Sequence, residues 1–157
     1  MKLKFLAFET KAPSWLEEAR SEYADKISGF LPFEFQTLKS PAADRDQADV
    51  KLKREAELLL KQIDDRDYVV LFDERGKQHA SSEDFSKSLW RAVESGKNRI
   101  VFCIGGPFGF DDSIKKRAQA KWSLSSLTMN HWIAQAMALE QIYRGFTIVK
   151  GLPYHNR

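Results

Sequence analysis

Two short apolar runs constrain this chain of 157 residues more than any other feature. Tyr68-Val69-Val70-Leu71-Phe72 and Ile100-Val101-Phe102-Cys103-Ile104 lack the polar alternation of a half-exposed sheet. Continuous apolar strands belong to parallel sheets covered on both faces. Leu3 to Phe8 and Phe33 to Leu38 read as further strands, and Ser123 to Leu127 as a weaker fifth. The cover comes from segments with helical spacing: Leu16, Ala19, Tyr23 and Ile27; Leu52, Ala56, Leu59 and Ile63; Phe85, Leu89 and Val93. Strands separated by helices make βαβ units. The expected fold is therefore α/β, a mainly parallel sheet flanked by helices, in one domain over residues 1–157.

The boundaries follow from turn and cap chemistry. Ser14-Trp15-Leu16-Glu17 offers a capping box for the first helix, and Gly29 and Pro32 close it. A polar loop spans Pro41 to Asp46, and Phe72-Asp73-x-x-Gly76-Lys77 reads as a turn. Ser81 or Ser82 opens the third helix and Gly96 stops it. Asp111-Asp112-Ser113 begins a short basic helix through Lys115, Lys116 and Arg117. Asn130 caps a last helix ending in Gln141-Ile142-Tyr143-Arg144, which Thr147-Ile148-Val149 leaves for a tail.

Composition narrows the setting. The net charge of +3 permits a polyanionic partner without demanding one. A single cysteine, Cys103, excludes an intrachain disulfide and favours a reducing compartment. No segment approaches the ~18 apolar residues of a membrane span, and Met1-Lys2-Leu3-Lys4-Phe5 begins like a strand and not like a leader. A cytoplasmic protein with no membrane contact is expected. His79, His131 and His155 lie too far apart in sequence for any standard metal-ligand spacing, so no metal is expected.

The chemistry concentrates in two segments poor in side-chain bulk. Gly105-Gly106-Pro107-Phe108-Gly109 follows the second apolar run, and Trp122-Ser123-Leu124-Ser125-Ser126-Leu127-Thr128-Met129-Asn130-His131 follows soon after. The first lacks the Lys-Ser/Thr ending of a phosphate loop, and Pro107 removes an amide that a phosphate nest would use. It is either a strand-to-helix turn needing glycine or the main-chain side of a pocket for a largely apolar ligand. Ser125-Ser126 lacks the turn setting of a nucleophile elbow.

Ile104-Gly105-Gly106-Pro107-x-Gly109, Trp122-Ser123-Leu124-Ser125-x-Leu127-Thr128, His131, Glu140-x-x-Tyr143-Arg144 and Pro153-Tyr154-His155 together resemble the RlmH family. Its members are the ribosomal RNA large-subunit pseudouridine N3-methyltransferases of the knotted SPOUT class. The likeness runs from Met1 to the last residues. It implies a C-terminal trefoil knot, a homodimer, S-adenosyl-L-methionine as cofactor, and a pseudouridine of helix 69 in 23S rRNA, within the 70S ribosome, as substrate. By the same resemblance the cofactor is held by Phe72, Gly106, Ser125, Ser126, Leu127, Thr128, Met129 and Asn130. His131, Arg144, Tyr154 and His155 are the catalytic candidates.

Methyl transfer needs alignment of donor and acceptor and removal of the acceptor's proton. His131 and His155 are both candidates for the proton, and sequence does not rank them. Arg144, near a helix end, suits either the helix dipole or a phosphate or base. The tail Tyr154-His155-Asn156-Arg157 suits base stacking and phosphate contact, or is simply a chain end. Trp132, Ile133, Ala136 and Met137 fit a dimer interface or packing on the chain's own sheet. In the resembled family an arginine commonly stands where this chain has Gln135, and proline often stands at Asn130. A charge-dependent contact at residue 135 is then in doubt. Those two departures leave a second reading, a non-catalytic RNA- or nucleotide-binding protein of the same fold. The basic cluster Lys115-Lys116-Arg117 with Lys121 reads as solvated surface or as an RNA face.

Overall fold

The computed structural model describes residues 1–8, 11–40 and 47–156. Five strands and five helices alternate: β1 (Lys2–Phe8), α1 (Ser14–Ser28), β2 (Phe33–Leu38), α2 (Ala48–Lys61), β3 (Asp67–Gln78), α3 (Ser82–Val93), β4 (Arg99–Ile104), α4 (Asp112–Arg117), β5 (Ala120–Ser123) and α5 (His131–Val149). The sheet order is β2-β1-β4-β3-β5 and every pairing is parallel. The expected α/β architecture is present.

The two apolar runs are β3 and β4, lying side by side inside the sheet. Their alternate residues serve opposite faces. Val70, Phe72, Phe102 and Ile104 join Ile27, Phe85, Leu89, Leu139, Ile142 and Phe146, from α1, α3 and α5, in one core. Val69, Leu71, Val101 and Cys103 join Ala56, Leu59 and Ile114, from α2 and α4, in the other. Each fully buried leucine or phenylalanine contributes about 2 kcal/mol, so both faces are strongly specified. At the start of β3 and β4, paired in register, Arg99 grips Asp67 through Nε (3.0 Å) and Nη2 (2.6 Å). That hydrogen-bonded carboxylate raises the Arg99 pKa.

Several boundaries differ from those expected. The N-cap of α1 is Pro13, with no side-chain cap; its carbonyl accepts from Leu16 N, so Ser14 is already helical and the capping box is not used. The Phe72–Lys77 segment does not turn away. β3 continues to Gln78, with Phe72 and Lys77 both opposite Trp122 across an irregularity in the ladder. The main chains meet closely there, because a Cβ on Gly76 would lie 2.5–2.7 Å from backbone atoms of Lys121 and Trp122. Helix α3 is capped by Ser81, whose side chain accepts from Asp84 N, and it ends at Val93, before Gly96.

The fifth strand lies earlier than expected. Ser123 Oγ donates to Ser125 O, and Leu127 N donates to Ser125 Oγ, so these hydroxyls fold the segment after Ser123 into bends in place of ladder bonds. Helix α5 runs past Arg144 to Val149, since Phe146 continues its buried stripe and Thr147 Oγ1 donates back to Arg144 O. The polar stretch from Pro41 to Asp46 and the final Arg157 lie outside the described residues.

Candidate functional site

The chain's chemistry-bearing loops all leave the sheet at its carboxyl end, where open α/β sheets hold ligands. There they enclose a cavity of about 370 Å³, a size within the range of small-molecule sites. Phe72, Asp73 and Glu74 contribute from the bent part of β3. Ile104, Gly105, Gly106, Pro107, Gly109 and Phe110 contribute from the end of β4 and its turn. Ser123, Leu124, Ser125, Leu127, Thr128, Met129 and Asn130 form a third wall, and His131 and Ala134 of α5 a fourth.

The glycine turn is held by its own main chain. Gly109 N donates to Gly106 O (3.1 Å) with Gly109 at φ +82°, and a Cβ on Gly105 would lie only 2.5 Å from Gly109 O. Behind it, Glu55 Oε1 stands 3.1 Å from where a Cβ of Gly106 would be. Burial raises the pKa of that carboxyl group. The opposite loop is fixed by the Ser123 and Ser125 hydroxyls and by Asn130, whose Oδ1 caps α5 at Trp132 N (2.7 Å). The positive end of the α5 dipole therefore faces the cavity. Leu127, in its lining, is 75% exposed, and Phe108 of the glycine turn is 56% exposed.

Of the positions that the resemblance assigns to a cofactor, Phe72, Gly106, Ser125, Leu127, Thr128, Met129 and Asn130 line this cavity, and Ser126 does not. His131 lines it as well. The sequence reading missed Asp73 and Glu74, which reach the cavity from the irregular part of β3 after its buried run. The lining offers apolar side chains, glycine main chain and two carboxylates, of which Asp73 also stands 3.9 Å from Lys115 Nζ. That donor set fits a ligand with an aromatic part and a positive charge, as S-adenosylmethionine has.

The other catalytic candidates lie elsewhere. His131 and Arg144 stand thirteen helical steps apart, about 20 Å along the axis. At that far end Arg144 donates to Glu140 Oε1 through Nε (2.9 Å) and Nη2 (2.6 Å), and Tyr154 Oη donates to the same oxygen (3.1 Å). The Arg144 guanidinium also stacks 4.7 Å from the Tyr154 ring centre. The hydrogen bond to Glu140 raises the Arg144 pKa, and burial foremost raises that of Tyr154. Arg144 is thus held by side chains, in a helix that continues to Val149, and is not in its last turn.

His155 sits 3.0 Å from Arg144 Nη1 through Nδ1 and 2.9 Å from Glu83 Oε1 through Nε2. Arginine only donates, so Nδ1 is the acceptor and the ring proton lies on Nε2, toward Glu83. The tail is therefore docked as far as His155 and is not frayed.

Gln135 is fully buried, its Oε1 accepting from Arg20 Nη2 at 2.7 Å, so it offers nothing to an anion at the surface. Within the basic helix α4, Arg117 donates to the carbonyls of Asp64 (2.7 Å) and Asp67 (3.3 Å). Trp132, Ile133, Ala136 and Met137 belong to neither core, and Ile133 is 53% exposed. Trp132 Nε1 and Gln135 Nε2 are buried donors without an acceptor among the described residues. Among those residues no group of acidic, histidine or cysteine side chains could hold a metal ion, and no helix is long and apolar enough to cross a membrane.

Comparison with known proteins agrees with the resemblance. A family model described as "Predicted SPOUT methyltransferase" matches residues 1–155. The chain is 48% identical over 156 residues to the "Ribosomal RNA large subunit methyltransferase H" of Bdellovibrio bacteriovorus, covering 98% of this chain and 99% of that one. The proteins of the same name from Caldicellulosiruptor saccharolyticus and Christiangramia forsetii are 41% and 38% identical. The first match covers 98% of this chain and 99% of the relative, and the second covers both in full. A cavity built from the glycine turn and the serine-rich loop, within a chain alike from end to end, makes this protein a member of the SPOUT methyltransferase family.

Proposed function

We propose that this enzyme transfers the methyl group of S-adenosyl-L-methionine to N3 of a pseudouridine in helix 69 of 23S rRNA, on the assembled 70S ribosome, as a homodimer. The observation that carries the proposal is the near full-length likeness to proteins named for large-subunit rRNA methylation, joined to a cavity lined by the motif residues. Bound in the cavity, the cofactor supplies an electrophilic methyl group on a positively charged sulfur. Phe72, Leu127 and Met129 would flank its adenine, with Gly105 and Gly106 leaving main chain free to bond the ring edge. Asp73 and Glu74 would favour its positive charge, a contribution worth more in a partly enclosed site than in water.

His131 is then the group for the N3 proton. It borders the cavity, whereas the acceptor nitrogen of His155 is already engaged by Arg144. Arg144, far along α5 from His131, and the tail residues Tyr154 and His155 docked beside it stand too far away to serve the same protomer's cavity. In this reading they complete the cavity of a second copy, whose α5 crosses at the unclaimed face of Trp132, Ile133, Ala136 and Met137. Family membership implies that the segments after β4 and β5 are threaded as a trefoil knot. The whole chain, 1–157, acts as one domain, in the cytoplasm with its substrate.

The test is transfer of a labelled methyl group from S-adenosylmethionine to 70S ribosomes lacking the modification, with mass mapping of the labelled nucleotide. Label on the helix 69 pseudouridine is expected. Folded protein that binds cofactor yet labels nothing would leave a non-catalytic binder, and label elsewhere would change the substrate.

A further inference from the structure

A second depression, of about 470 Å³, lies between α3 and the end of α5, on the face that carries the docked tail. Ile148 and Val149 line it from α5, and Lys87, Trp90 and Arg91 from α3. The Lys150 ammonium lies 5.0 Å from the centre of the Trp90 ring. Glu83, at one end, also lines the depression and contacts His155, so the groove is continuous with the Arg144–Tyr154–His155 cluster.

Neither fold nor cofactor cavity accounts for this arrangement. Lys87 and Arg91 stand four residues apart on one helical face, a like-charge spacing that weakens a helix. Both side chains are exposed, and neither has an ion pair or hydrogen bond among the described residues. Trp90 is half-buried, packed against the core on its inner side, and the Lys150 ammonium lies over its ring. An aromatic platform flanked by unneutralised cations is how single-stranded nucleic acid is held without sequence reading: bases stack on rings and phosphates meet the charges.

We infer that the groove of Lys87, Trp90, Arg91 and Lys150 is an RNA-contact surface, taking a base on Trp90 and backbone phosphates on Lys87 and Arg91. This rests on the rRNA reading above and extends its substrate footprint from the tail onto α3. The charge complementarity favours RNA over a protein partner, because the charged residues that line the groove are cationic except for Glu83, which is held by His155.

The experiment is co-sedimentation of the full-length protein with 70S ribosomes across a potassium chloride series, with methyl transfer measured in parallel. The paired substitution Lys87→Glu and Arg91→Glu is expected to weaken ribosome binding at least tenfold at low salt. It should also lower the slope of log affinity against log salt by roughly two, about one per lost phosphate contact. Trp90→Ala is expected to weaken binding severalfold with the slope unchanged. Both should leave S-adenosylmethionine binding and kcat at saturating ribosome unchanged while raising KM.

Affinity and slope equal to those of the parent in both variants overturn the groove while leaving the methyltransferase reading intact. A parent that sediments with ribosomes through the groove but transfers no methyl overturns that reading and leaves the groove standing. A parent that neither sediments with ribosomes at low salt nor transfers methyl overturns both, and one that transfers methyl without sedimenting overturns the groove alone. Loss of cofactor binding in a variant would mark a folding defect, and Lys87→Gln with Arg91→Gln, which only neutralises, then decides by the same slope.

Discussion

At Gly105 a single methyl group decides whether the cavity exists. Its Cβ would press on the Gly109 carbonyl, a backbone atom that has no alternative position while the turn is closed. Gly105→Ala should therefore cost about 2 kcal/mol in urea unfolding and should abolish S-adenosylmethionine binding by calorimetry; a variant that binds normally would show the turn to be slack. His79 answers a different question, since it is half-buried against the edges of Phe85 and Trp122 with Nδ1 unsatisfied. Desolvation first, then Lys77, lowers its pKa below the ordinary 6.5. Its neutral form is the one the fold prefers. Stability from this site is present above pH 6.5 and is lost as pH falls through that value toward the lower folded pKa. His79→Leu should flatten the fall in urea midpoint between pH 7.5 and 5.5, and an unchanged pH profile would assign the acid sensitivity elsewhere. That Phe72, Gly106, Ser125 and Leu127 to Asn130 would meet at one cavity was legible because contiguous motifs carry them. Asp73 was not, because a carboxylate beside a strand irregularity belongs to none of the motifs, and Ser126, inside the serine-rich run, does not line the cavity.

Among the elements, β5 depends most on one residue elsewhere. The close approach at Gly76 lets the bent β3 lie against Lys121 and Trp122, and Trp122 packs on Phe72, Phe85 and Phe102 beneath the cavity. Gly76→Val should displace β5 at a cost of about 3 kcal/mol. Amide exchange should speed up over Ala120–Ser123 and remain slow in β1 and β4; protection retained throughout would refute the coupling. The continuous apolar strands and the amphipathic helices α2 and α3 followed from periodicity. The bend in β3 did not, because Gly76 reads as a turn residue unless the strand it touches is known. The length of α5 was also hidden: β-branched Thr147-Ile148-Val149 looks like departure from a helix, and the burial of Phe146 against Phe30 and the core, with the Thr147 hydroxyl bond to Arg144 O, holds it on course.

For the molecule as a whole, the strand order β2-β1-β4-β3-β5 lay beyond pattern reasoning, because β4 inserts between strands that precede it in the chain. The resemblance supplied the family and with it the expectation of two copies, and the length of α5 gives that expectation a test. His131→Ala and Arg144→Ala should each be inactive as pure proteins. If the sites are shared, unfolding and refolding the two together should recover about a quarter of parental turnover, since half the dimers are mixed and each has one intact site. No recovery would place both groups in one protomer's site. Cys103 carries a further consequence. It is fully buried in the central strand, and burial alone pushes its thiol pKa up to about 12. A thiol reagent added to the native protein therefore reaches the sulfur only when the central strand opens, so labelling records opening of the sheet at β4. The protein comes with its own stopwatch for unfolding, started by the reagent and read by mass, and single reporter cysteines can be placed on its surface without first removing the native one.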